Sequence, residues 1–306
     1  MVIATDAYEL ATREVALVDR SQRAKMLLTG AGAPEFLQGQ VTNDVEGLAT
    51  GEGCYAAFLN PKGKLRADVR VLALDSGLWL DAEGYAKQVV DWVIDSYSVG
   101  LEVRREDLTD SRSILSLVGP AAREALDVGL PEREHAHVVS EHGLYVATDL
   151  GVDVICEDVG SARAALGVEE VPFDVAEVLR VESGRPRMGL DMDNATIPQE
   201  AGLNERAVSF EKGCYVGQET VARLHYRGKP NRHLRGLALT EPAERGDQVV
   251  RADGKQVGTV GSTCVSPALG PIALALIRRE APPGDEVLVG VAAAPARVVE
   301  LPFERP

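Results

Sequence analysis

Beyond Pro230 the chain breaks into short apolar runs separated by Gly, Pro and Asp, and a chain punctuated in this way folds as strands joined by tight turns. In Val249-Val250-Arg251-Ala252-Asp253-Gly254-Lys255-Gln256-Val257 the Asp-Gly pair supplies the positive φ that a tight hairpin needs. Further apolar runs near 272–277, 287–291 and 297–301 add strands, so the spacing predicts a small antiparallel barrel. A boundary near 230 follows, with residues 1–229 forming a larger domain and 230–306 the barrel.

Ahead of that boundary strands and helices interleave. Residues 72–80 read as a hairpin turning at Asp75-Ser76-Gly77, and 84–97 has helical spacing at Val89, Trp92, Val93, Ile94 and Tyr97. A strand over 114–118 runs into Gly119-Pro120, and Pro at a first helical position predicts a helix through Leu126. Strands over 144–150 and 152–156 precede a helix over 161–166. Hairpins mixed with helices favour an α+β fold over a doubly wound parallel sheet.

A chain of 306 residues is long enough to bury a substantial core. The net charge of −15 repels a phosphate backbone, which argues against direct nucleic-acid binding. With neither a leader-like N-terminus nor an apolar run of membrane-spanning length, the expectation is a cytoplasmic protein without membrane contact. Cysteines 54, 156, 214 and 264 are spaced for neither a metal nor a cluster, and read as reduced thiols.

One stretch departs from the acidic background. Between 212 and 235 lie Lys212, Arg223, Arg227, Lys229, Arg232 and Arg235, with His225 and His233, against the single acid Glu219. Either this is a solvated loop or it receives an anion. Several weaker patterns do not hold up. Gly30-Ala31-Gly32 lacks the third glycine of a dinucleotide loop, and His135, His137 and His142 lack a further ligand placed by spacing. Asp191, Asp193 and Asn194 lack the glycine and closing glutamate of a calcium loop.

Three separated segments carry the functional reading. The first is Leu37-Gln38-Gly39-Gln40-Val41-Thr42-Asn43-Asp44-Val45, followed by Tyr55, Asn60, Gly63 and Asp68. The second is Arg180-Val181-Glu182-Ser183-Gly184, followed by Gly189 and 197–203. The third, and most specific, is Lys212-Gly213-Cys214-Tyr215-Val216-Gly217-Gln218-Glu219. Together they resemble the folate-binding superfamily that contains the glycine-cleavage T-protein, an aminomethyltransferase, and the YgfZ proteins, and the third segment is similar to YgfZ in particular.

The resemblance implies a two-lobed, T-protein-like folate-binding domain of antiparallel sheets and helices followed by the barrel, with tetrahydrofolate or a one-carbon derivative as cofactor. It implies cofactor contacts from Tyr55, Asp68, Glu182, Arg206 and Lys212, and chemistry at Cys214 and Asp68. A buried carboxylate at Glu182 accepts the paired donors of a pterin edge; otherwise it is a surface acid or a partner of Arg180. Asp68 handles a proton beside the one-carbon unit, or simply faces outward from a strand over 65–71. Tyr55 packs along the pterin or fills core.

Cys214 is a reactive thiol set between Gly213 and Gly217, beside Lys212 and ahead of a helix over 217–224, or it is a small structural hydrophobe. By resemblance to YgfZ, the function is a helper in the assembly or repair of iron–sulfur enzymes, and through them in tRNA modification, with those enzymes as clients. The basic stretch then takes the glutamate tail of folate. The alternatives are an aminomethyltransferase and a scaffold that has lost folate. Ala67-Asp68 stands where the T-protein has two acids, which counts against the first.

Overall fold

The computed structural model describes residues 3–126 and 128–305, in two compact units. The first unit comprises residues 9–173 and 204–218; the second comprises the chain up to Tyr8, residues 174–203 and 219–306. Among the described residues, no helix is long and apolar enough to cross a membrane.

Two five-stranded antiparallel sheets build the first unit. One has the order Gly53–Leu59, Leu65–Leu74, Gly77–Ala82, Ala24–Thr29, Arg104–Asp107. Alternation along its strands sends Cys54, Ala56, Phe58, Ala67, Val69, Val71 and Leu80 into one apolar core. Helices Ala33–Gln40 and Lys87–Tyr97 cover that face, the latter through Val90, Val93 and Ile94 at i, i+3 and i+4. The other sheet has the order Ala16–Asp19, Ser113–Val118, Gly151–Cys156, Gly143–Ala147, His137–Ser140, and its outer face packs on helix Val159–Leu166. Between the sheets Leu72 and Trp79 meet Ile114, Val146 and Ile155, so the layers run helix, sheet, sheet, helix.

The second unit holds a closed six-stranded antiparallel barrel in the order Arg232–Leu239, Gly270–Arg278, Gln256–Ser266, Gln248–Val250, Glu286–Val289, Ala294–Val299. Its interior is filled by small and β-branched side chains such as Val249, Val257, Val260, Ala273, Ala275 and Val298. Residues 174–203, which include helix Phe173–Glu182 from its second residue, belong to the same compact unit, ahead of the first barrel strand at Arg232.

The α+β reading and the C-terminal barrel match the structure, as do the hairpins at Asp75-Ser76 and Asp253-Gly254. One local expectation does not. Residues 120–125 form successive turns rather than a helix, with Ala122 N–H donating to Gly119 O at 3.2 Å and Ala125 N–H to Ala121 O at 3.1 Å. Proline is compatible with a helix start there, but compatibility alone does not build one. Trp92 and Tyr97 sit on the outer face of their helix, 46% and 55% exposed, with the Arg66 guanidinium over the Trp92 ring at 4.5 Å.

Candidate functional site

The face of the first sheet that looks away from its helices carries, beside Leu72 and Trp79, the polar residues Tyr55, Asp68, Arg70 and Asp81. Tyr55 lies opposite Arg70 in register and Ala57 opposite Asp68, which makes Tyr55 and Asp68 diagonal neighbours on that face. The Tyr55 hydroxyl donates to Asp68 Oδ2 at 2.6 Å. Asp68 Oδ1 is buried and has no partner among the described residues. Burial strips hydration from this carboxylate and raises its pKa, Glu83 adding to the effect while the Tyr55 hydrogen bond and the Arg23 charge oppose it. Burial, and then the charge of Asp68, hold the Tyr55 hydroxyl well above its ordinary pKa, so it remains a donor.

Arg206 completes the cluster. Asn43 Nδ2 donates to the carbonyls of both Tyr55, at 2.8 Å, and Arg206, at 3.2 Å, tying the Asn204–Ala207 helix to strand Gly53–Leu59. The Arg206 guanidinium lies 5.4 Å from the centre of the Tyr55 ring and donates to the Glu134 carboxylate. Its Nε is buried without a partner among the described residues. Nearby His135 has a positive φ of 68°, and burial together with the charges of Arg70 and Arg206 lowers its pKa to about 3, leaving it neutral in the physiological range.

Beneath the cluster runs an ionic network joining the two sheets. Arg70 donates through Nε to Asp81 at 2.7 Å and through Nη1 to Asp153 at 2.6 Å, while Arg23 Nε reaches Asp81 at 2.8 Å. Ser116 Oγ donates to Asp153 at 2.5 Å and Trp79 Nε1 to Asp81 at 3.0 Å. Burial alone would raise the Asp81 pKa, but the two guanidiniums outweigh it and hold the acid below its usual range.

The cysteine motif has a different physical basis from the one its sequence suggests. Lys212 Nζ donates to the carbonyls of Gln38 at 2.6 Å, Val41 at 2.8 Å and Asn43 at 2.8 Å, which spends all three of its protons at the end of helix Ala33–Gln40. It therefore fastens the motif to the 38–43 segment and has no donor left for an anion. Gly217 does permit close approach: its φ is 83°, and a Cβ there would lie 2.5 Å from the Asn60 carbonyl oxygen. Gly213 faces open space and carries no such demand. Cys214 is exposed, and three residues separate it from Gln218, where the helix to Arg227 begins. The field of a helix terminus falls off within its first turn.

Glu182 lies in the second unit. Its Oε1 accepts from the Tyr8 hydroxyl at 2.8 Å and Ser266 Oγ at 2.5 Å, and its Oε2 from Arg305 Nη2 at 2.8 Å. Arg180 is paired not with Glu182 but with Glu177 and, at 3.0 Å, Asp191. Two members of the basic stretch are likewise engaged: Arg232 with Glu200 at 2.8 Å and Arg235 with Glu300 at 2.9 Å. The structure thus gathers Tyr55, Asp68 and Arg206 into one cluster, with Lys212 positioning the loop of Cys214. Asn43, Glu134 and His135 join them; Asn43 belongs to the first matched segment, His135 to the histidine trio that lacked a further metal ligand, and Glu134 carries no sequence signal.

Residues 3–138 match the family model described as the GCVT N-terminal domain, and residues 232–304 match the glycine cleavage T-protein C-terminal barrel domain. An aminomethyltransferase of Staphylococcus carnosus (strain TM300) is 29% identical over 308 residues, covering 92% of this chain and 84% of that protein. A putative chloroplastic transferase of Arabidopsis thaliana is 27% identical over 311 residues, covering 94% of this chain and 70% of that protein. The crystal structure of the glycine cleavage system aminomethyltransferase T from Bartonella henselae shares the fold with a TM-score of 0.86 at 24% identity, over 98% of this chain and 89% of that one. Matched at its N-terminal domain and its barrel, and sharing the fold between them, the chain belongs to the glycine cleavage T-protein superfamily, whose members typically bind tetrahydrofolate.

Proposed function

We propose that this protein binds a reduced folate at Asp68 and acts as a tetrahydrofolate-dependent accessory factor in the assembly or repair of iron–sulfur enzymes, and through them in tRNA modification. The observation that carries the folate reading is the buried Asp68 carboxylate, one oxygen on Tyr55 and the other without a partner. An unsatisfied buried acceptor costs about 1–3 kcal/mol, and a ligand N–H donated to Oδ1 removes that cost. The Tyr55 ring with the Arg206 guanidinium beside it offers a flat cationic–aromatic surface of the kind a heteroaromatic ring packs on. The residues present therefore fit a pterin.

Bound tetrahydrofolate supplies a carrier for a one-carbon unit on its nitrogens. The Tyr55 hydroxyl, held protonated, keeps Oδ2 occupied and leaves Oδ1 as the acceptor. Burial makes Asp68 a stronger base than an exposed carboxylate, so it can take and return a proton at Oδ1. Arg206, fixed by Glu134, orients the ring face. Lys212 positions the loop that presents Cys214.

The exposed thiol of Cys214, within a motif similar to YgfZ, supports the accessory reading, as nucleophile or redox partner toward a client. The names of the relatives support a second reading, an aminomethyltransferase transferring a one-carbon unit to tetrahydrofolate.

Calorimetry with tetrahydrofolate tests the common part. Binding is expected, and Asp68→Asn should weaken it about tenfold or more; no heat with folded wild-type protein sinks both readings. Release of methylene-tetrahydrofolate in a reconstituted glycine-cleavage assay would select the aminomethyltransferase. Loss of iron–sulfur enzyme activity in cells lacking the protein, restored by wild type and not by Cys214→Ser, is the outcome expected of the accessory factor.

A further inference from the structure

A groove of about 440 Å3 lies on the barrel unit, between the 189–193 segment and strands Gln256–Ser266 and Gly270–Arg278. Three arginines from separate elements line it: Arg232 at the start of its strand, Arg245 from the loop ahead of Gln248–Val250, and Arg278 at the end of Gly270–Arg278. Arg232 is neutralised by Glu200, which accepts from its Nε at 2.9 Å and from its Nη2 at 2.8 Å. Arg245 donates to the Gly189 carbonyl. Neither Arg245 nor Arg278 is paired with a carboxylate among the described residues.

The two acids in the wall are already hydrogen-bonded, Asp191 through both oxygens and Asp193 through Oδ1. Asp191 accepts from Ser262 N at 2.6 Å, Ser262 Oγ at 2.8 Å, Arg180 Nη1 at 3.0 Å and Arg187 N at 2.9 Å. Asp193 accepts from Thr196 Oγ1 and Ala195 N, each at 2.8 Å. These bonds fix the 189–193 wall, and Gly261 allows it to close on the barrel, since a Cβ there would lie 2.5 Å from Asp191 Oδ1 and 3.0 Å from its Cα. Arg245 and Arg278 add donor capacity and positive charge to the groove, on a chain whose net charge is −15.

We propose that this groove binds a small organic anion, held through its carboxylate or phosphate oxygens by Arg245 and Arg278. Guanidinium donors match planar carboxylates and phosphate oxygens alike, and the volume suits a ligand larger than an inorganic ion, within the roughly 300–1,000 Å3 of small-molecule sites. The proposal is independent of the folate reading, because Tyr55 and Asp68 take no part in it.

The test is calorimetric titration of the full chain with citrate, inorganic phosphate and a nucleoside monophosphate, each at matched ionic strength with sodium chloride as the control. At least one is expected to bind in the millimolar range or tighter. The double variant Arg245→Gln/Arg278→Gln should weaken it about tenfold or more while tetrahydrofolate binding is unchanged. Both side chains are exposed, and circular dichroism checks that the variant is folded. Citrate alone binding identifies a carboxylate ligand; phosphate and nucleotide binding identify a phosphate ligand. Heat from none of the three, or binding that survives in the double variant, overturns the proposal.

Discussion

The buried Asp68 carboxylate carries a stability cost. Its pKa is raised above the ordinary 3.8, so in the window between that value and the raised one the folded protein binds more protons than the unfolded chain. Stability is therefore greatest below the window and falls as pH rises through it. Asp68→Asn keeps an acceptor for Tyr55 without the buried charge, and is expected to raise stability at neutral pH by on the order of 1 kcal/mol while weakening folate binding; thermal unfolding beside calorimetry reads both. Arg70 behaves oppositely. Asp81 and Asp153 both have lowered pKa values, so what they contribute is present above about 3.8 and lost as pH falls further. Arg70→Met leaves both carboxylates under-compensated and is expected to cost about 3–5 kcal/mol in denaturant unfolding. Neither pairing was legible in the sequence, since Asp81 and Asp153 lie 11 and 83 residues from Arg70.

Among elements, hairpins were the most readable, because turn chemistry and alternation are local. Asp75-Ser76 and Asp253-Gly254 each sit where the flanking strands pair. The 120–126 segment departs from the expected helix because a single proline carries no information about what packs on the turn after it. The motif around Cys214 separates two glycines that look alike in sequence. Gly217→Ala, at a φ of 83° and with a Cβ 2.5 Å from the Asn60 carbonyl, is expected to cost roughly 1–3 kcal/mol. Gly213→Ala, facing open space, should be nearly silent in the same thermal unfolding comparison. Lys212→Met leaves three carbonyls without their donor; we expect about 1–3 kcal/mol of lost stability and faster amide exchange over 38–43.

At the scale of the whole molecule, the barrel unit extends beyond the barrel strands. The barrel strands start at Arg232, yet Ser262 and Ser266 are buried against Asp191 and Glu182, which arrive from 174–203. A fragment spanning 230–306 is therefore expected to exchange its barrel amides faster than the same strands in the full chain, measured by hydrogen exchange under identical conditions. Equal protection would mean that 230–306 is self-sufficient. The sequence alone determined the barrel, the hairpins and the superfamily, because turn residues, strand alternation and short motifs are encoded by neighbours along the chain. Only the tertiary structure decided which of the charged candidates remain available. Asp68 keeps an open oxygen, Glu182 is held by Tyr8, Ser266 and Arg305, and Lys212 is spent on three carbonyls. The physical reason is that a buried charge takes its character from partners brought to it by folding, and those partners are distant in sequence.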